Sequence, residues 1–145
     1  MDYLLIIGIF YLFFISISCV SAVGHVVSRT DFSDIQTTIS GSVDGDTILL
    51  GNKVYMGSGS QTVVSNKMNL TISGSSNSDR ATLNARSLSR IVIVDDDFTV
   101  TFRFVNFING NSGSGSGGAI AARNTIDIEN CTIRDNTGVV VKLFL

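Results

Sequence analysis

Apolar and polar residues alternate with a period of two along much of this chain, and the alternating stretches recur. Leu70-Thr71-Ile72, Val100-Thr101-Phe102 and Ile126-Asp127-Ile128 each set one polar residue between two apolar ones. That pattern predicts strands with one face in a core. The triplets begin at residues 70, 100 and 126, so the spacing is 30 (100 − 70) and then 26 (126 − 100). Hairpin partners would lie closer together; this period predicts a solenoid in which each repeat is one coil turn. In the second pair the match extends further. Adding 26 carries Val105 to Cys131, Phe107 to Ile133, Asn109 to Asp135 and Gly110 to Asn136. A strand, a bend and a second strand therefore repeat as one unit.

Stacked turns fix which residues meet. Leu70, Val100 and Ile126 are expected to form one inward ladder, with Ile72, Phe102 and Ile128 beside it. Thr71, Thr101 and Asp127 form an outward column, and Ser73, Arg103 and Glu129 another, which sets Arg103 against Glu129 on the next turn. Cys131 falls in an inward ladder below Val105 and reads as a small packing residue. A catalytic thiol wants a histidine partner, and His25 is the one histidine in the chain.

Upstream the periodicity changes. Phe32, Ile35 and Ile39 fit one face of a short helix within residues 30–41, with Ser33 and Gln36 placed as a capping box and Gly41 at its end. Asp44-Gly45-Asp46 then signals a turn, and residues 47–50 begin a strand pattern.

Residues 4–17 are almost unbroken hydrocarbon, 14 positions against the roughly 20 that a bilayer span needs. With the small residues Val20-Ser21-Ala22 behind them they read as a secretory signal cleaved after Ala22, although Met1-Asp2-Tyr3 carries no Lys or Arg; an uncleaved anchor and then a buried core segment are the alternatives. The expected organisation is a signal peptide over 1–22, an N-terminal cap with a short helix over 23–46, and an incomplete parallel β-helix over 47–145. Removal of Cys19 leaves Cys131 as the single cysteine, so no intramolecular disulfide is expected. Export also makes Asn69-Leu70-Thr71 and Asn130-Cys131-Thr132 candidate N-glycosylation sites at Asn69 and Asn130.

Composition narrows the class. Ten Lys+Arg face 12 Asp+Glu, which gives no field for holding nucleic acid. The chain lacks Pro and Trp and is rich in Gly, Ser, Thr and Asn, which suits short strands joined by polar turns.

Gly45-Asp46-Thr47-Ile48-Leu49-Leu50, followed by Val54-Tyr55-Met56-Gly57, resembles the opening of pectin-lyase-like right-handed parallel β-helix proteins. Phe107-Ile108-Asn109-Gly110-Asn111, then Gly117-Gly118-Ala119-Ile120, then Asn130-Cys131-Thr132-Ile133, resembles the "FxxN" and "GGAI" repeats of polymorphic outer membrane proteins and related adhesin-like surface proteins. Gly110 departs from that pattern at the last FxxN position. The resemblance spans about residues 31–138. It implies an all-β fold, a right-handed parallel β-helix of three to four rungs with a short helical cap, and a secreted or cell-surface location. Members of the family are commonly longer, and residues 138–145 form a strand-like run without a cap, so the chain reads as the N-terminal fragment of a longer protein.

The family also holds polysaccharide lyases and glycoside hydrolases, whose chemistry needs convergent carboxylates. Asp95-Asp96-Asp97 is the one acidic cluster, and a solvated turn fits it better than Ca²⁺ binding or paired acid–base chemistry, because adjacent residues on a strand point to opposite faces. Asp127 and Glu129 share a face, but Arg103 is placed to pair with Glu129. The Gly/Ser run at residues 111–118 lacks the Lys of a phosphate loop and reads as a flexible connection. No catalytic, cofactor-binding or metal-ligating residue is assigned, and His25 receives no role. The expected function is a non-catalytic, adhesin-like surface module that contacts glycans or other cell-surface molecules. Membrane contact is expected only through the signal segment, and self-association at the open C-terminal rung. A polysaccharide lyase or glycoside hydrolase with its catalytic rungs elsewhere, and a structural spacer or gene remnant, are the alternatives.

Overall fold

The computed structural model describes residues 21–64, 69–95, 99–123 and 125–143. The expected signal segment up to residue 20, including Cys19, lies outside them, as do Asp96 and Asp97. The described chain is a parallel β-solenoid of four rungs. Strand β1 (Gly24–Val26) and helix α1 (Phe32–Gly41) precede the first rung. That rung comprises β2 (Thr47–Leu49), β3 (Val54–Met56) and β4 (Thr62–Val64). The second comprises β5 (Leu70–Ser73), β6 (Ala81–Asn84) and β7 (Val92–Val94). The third holds β8 (Val100–Arg103), β9 (Val105–Ile108) and β10 (Asn111–Ala122), and the fourth β11 (Ile126–Glu129), β12 (Thr132–Arg134) and β13 (Thr137–Leu143).

Three parallel sheets run along the stack, in the orders β1-β2-β5-β8-β11, β3-β6-β9-β12 and β4-β7-β10-β13. Thr71 pairs with Thr101 and Thr101 with Asp127, the expected register. A first repeat went unrecognised: Thr47 pairs with Thr71, a spacing of 24 (71 − 47). β1 extends the first sheet by pairing with β2.

Inward side chains stack in the expected ladders. Ile48, Ile72 and Phe102 are buried in one, Leu70 and Val100 in the next, and Tyr55, Leu83 and Phe107 line the second sheet. Phe102 and Phe107 meet edge to face at 5.4 Å between ring centroids, which ties the first sheet to the second within one rung. Ile128 occupies the expected ladder position but is 40 % exposed, because no described rung lies over the fourth.

The helix closes the other end. Phe32, Ile35 and Ile39 are buried, and α1 packs against β2 and β4. Its N-cap is Asp31, whose Oδ1 accepts from Asp34 N–H at 2.8 Å; Ser33 lies inside the helix and donates to the same oxygen. The capping box expected at Ser33 and Gln36 is thus displaced by the stronger carboxylate two residues earlier.

Short polar corners turn the chain between sheets. Asn109 and Asp135, the expected turn pair, both adopt left-handed backbone at φ 54° and 56°. Asn136 holds adjacent rungs together: its Oδ1 accepts from Gly110 N–H at 2.6 Å and its Nδ2 donates to Phe107 O at 3.1 Å. The Gly/Ser run is not a loose connection. It lies in β10, which pairs with β13 through two register shifts, with Asn111 opposite Thr137 and Ser116 opposite Val139.

Close backbone approach makes one glycine indispensable and another dispensable. A Cβ on Gly74 would sit 2.2 Å from Phe104 O and 2.9 Å from Ala81 N, both main-chain atoms of the stack, whereas a Cβ on Gly41 meets nothing within 4 Å. Gly74→Ala is expected to destabilise by about 1–3 kcal/mol in urea unfolding, the usual cost of overpacking. Gly41→Ala, in the last turn of α1, should be neutral or stabilising by up to about 1 kcal/mol.

Candidate functional site

In a solenoid the inward residues are committed to the core, so recognition chemistry must come from outward columns. On the first sheet the outward pair Arg103 and Glu129 meets as expected, Nε to Oε2 at 2.9 Å. Both side chains are about half exposed, so the pair contributes only about 0–1 kcal/mol. Asp127 is exposed on the same strand. This face carries an ion pair between rungs.

The third sheet offers more. Arg90, Ile93, Asp95, Gly115, Ser116, Ala121 and Arg123 line an open groove of about 560 Å³. Its floor is set by register: Ile93 pairs with Ala121, and the small alanine leaves a depression beside the isoleucine. One wall is the irregular part of β10, where Arg90 Nε donates to Ser116 O at 3.0 Å. Arg90 lies so close over Gly115 that a Cβ there would come within 2.6 Å of Nη2. At the other wall Arg123 Nε meets Asp95 Oδ1 at 2.7 Å, with Arg123 mostly in solvent and Asp95 about half exposed. Two guanidinium groups, one carboxylate and exposed backbone thus converge over a shallow apolar floor. Guanidinium is a planar multi-donor suited to hydroxyls and carboxylates, while a small flat floor suits a sugar face.

A second, smaller groove of about 330 Å³ runs between α1 and the segment joining β3 to β4, lined by Phe32, Ser33, Gln36 and Ser58 among others. It carries no charged side chain and lacks the convergence of the first.

Other residues singled out by sequence take these positions. Asn69 and Asn130 are both exposed, at left-handed corner positions with φ 49° and 51°. Asn69 Nδ2 lies 3.5 Å from Asp44 Oδ1. Asp95 is the one described member of the acidic run, and it belongs to the groove. Cys131 packs against the core, with Sγ 3.4 Å from Phe102 O and from Glu129 O. Burial pushes its thiol above the ordinary range, the opposite of an activated nucleophile.

His25, given no role from sequence, contacts a buried carboxylate: its Nε2 lies 2.7 Å from Asp46 Oδ2. Asp46 also accepts from Val43 N–H at 2.8 Å and Val23 N–H at 2.9 Å. The backbone donors of Val43 and then Val23 hold its pKa at about 2, outweighing burial. In the sequence Asp46 stands in a turn signal and in the Gly45–Leu50 segment, and Arg90 and Arg123 belong to no motif. They stand 33 positions apart (123 − 90), and only the pairing of β7 with β10 brings them to one surface.

The chain matches no protein-family model, no curated protein and no solved structure.

Cys131 gives a direct check on its packing role. Iodoacetamide alkylation at neutral pH should run several-fold slower in the native protein than in denaturant. Equal rates would mean that the fourth rung does not hold the thiol against the core.

Proposed function

We propose that this chain is a non-catalytic part of an exported cell-surface protein, and that it contacts glycans through the groove on the third sheet. The observation that carries the reading is the meeting of Arg90 and Arg123 over the Ile93–Ala121 floor. The groove has room for one or two sugar units, and its donors flank strands β7 and β10 and are held by Ser116 O and Asp95, which lowers the entropic cost of ordering them. Export rests on the apolar run at 4–17 and the Val20-Ser21-Ala22 sequence behind it. The adhesin-like character rests on the resemblance of the GGAI and FxxN segments. The polysaccharide lyase or hydrolase reading gains little from this surface, because Asp95, its one carboxylate, is engaged by Arg123.

The test is binding of the exported chain to immobilised neutral and uronate-containing oligosaccharides, with Arg90→Ala and Arg123→Ala alongside. Charged hydrogen bonds of this kind contribute about 1.5–3 kcal/mol each, so either substitution should weaken binding at least tenfold. Binding that neither substitution alters, or no binding to any glycan, would sink the groove as the recognition surface. Release of unsaturated or reducing sugar from the same oligosaccharides would favour the enzymatic alternative.

A further inference from the structure

Asp46 is an unusual residue for a turn. Its side chain is 2 % exposed, yet it is a carboxylate that accepts three hydrogen bonds, from Val43 N–H, His25 Nε2 and Val23 N–H. Val23 is held on its other side too, since its carbonyl accepts from Thr47 N–H at 2.9 Å. The segment before it, Ser21-Ala22, is exposed and lies outside any strand or helix.

The small residues Val20-Ser21-Ala22 independently place a signal-peptidase cut between Ala22 and Val23. The nitrogen released by that cut is the one already 2.9 Å from Asp46 Oδ1. We infer that processing after Ala22 converts Val23 N into an α-ammonium that pairs with buried Asp46 and locks the end of the solenoid. Hydrolysis consumes one water: Ala22 leaves as the carboxylate of the released segment, and the Val23 nitrogen becomes –NH₃⁺. One amide N–H is thereby replaced by three donors and a full positive charge on a carboxylate removed from solvent. Such a pair is much stronger than an exposed one. Asp46 N–H also donates to Val43 O at 3.1 Å and Asp46 O accepts from Thr71 N–H at 3.0 Å, so the locked corner joins β1, the turn and β5. The titratable groups of this corner are His25 on β1 and Asp44 and Asp46 in the turn; β5 carries none.

This inference rests on the export reading, and the experiment separates the two. The full chain is expressed in an exporting host, the N-terminus of the product is read by mass spectrometry, and its α-amine is titrated by pulsed acylation across pH. The expected product begins at Val23. Its α-amine should titrate clearly above the ordinary range of about 7.7–8.0, and react about tenfold more slowly near neutral pH in the native state than in denaturant. Simple shielding would lower the rate without moving the midpoint. Asp46→Asn should return the midpoint to the ordinary range; if that variant does not fold, the native-against-denatured comparison of the unsubstituted protein still decides. A product that retains residues 1–22 overturns the inference together with the reading of that segment as a cleaved signal, and failure of the chain to reach the exported fraction overturns the export reading. A product beginning elsewhere, or one beginning at Val23 whose midpoint is ordinary in the native state, overturns the inference alone.

Discussion

Parallel hydrogen bonding between successive rungs is the constraint on which the rest of this structure depends. Every named strand pair joins one rung to the next or β1 to the first rung, and none joins strands of the same rung. A single rung therefore cannot satisfy its own backbone, and its strands, most of them three or four residues long, are viable only in a stack. Register follows, because a slip of one residue would turn an entire inward ladder to solvent. So does the need for an end cap, which α1 supplies with Phe32, Ile35 and Ile39.

The same constraint explains what could be read from the sequence. The first sheet was legible because its strands keep an uninterrupted apolar–polar–apolar phase, so Leu70, Val100 and Ile126 aligned themselves and Arg103 fell opposite Glu129. Length variation is pushed into corners and hides the rest. The first rung steps by 24 residues and the second by 30, so Thr47-Ile48-Leu49 did not register as a repeat. β10 was obscured for a different reason. Glycine and serine suggest a linker when judged by side chain, yet β10 is held by its backbone, and Gly118 has Thr137 O where a Cβ would stand. Asp31 took the helix cap from Ser33 because local hydrogen bonding, not the apolar pattern, decides a cap.

The candidate site was least legible because it is a product of stacking. Arg90 precedes β7 and Arg123 follows β10, and neither belongs to a motif. The irregular pairing of β10 raises one wall, and the regular pairing of Ile93 with Ala121 lays the floor. Regular rungs thus give a flat surface, and a local departure from regularity gives a recess. The N-terminal corner follows similar logic. In sequence Asp46 belongs to a turn and to the opening of a strand, but the arrival of β1 beside β2 brings Val23 and His25 to it.

The most direct measurement of the stack is disulfide formation between Thr101→Cys and Asp127→Cys in the protein carrying Cys131→Ser. The two positions are paired on adjacent parallel strands, whose spacing of about 4.8 Å lies within disulfide reach. Rapid crosslinking within the monomer is predicted, with Thr101→Cys and Asn130→Cys as a slow control. Equal rates for both pairs, or crosslinking only between molecules, would contradict the rung register.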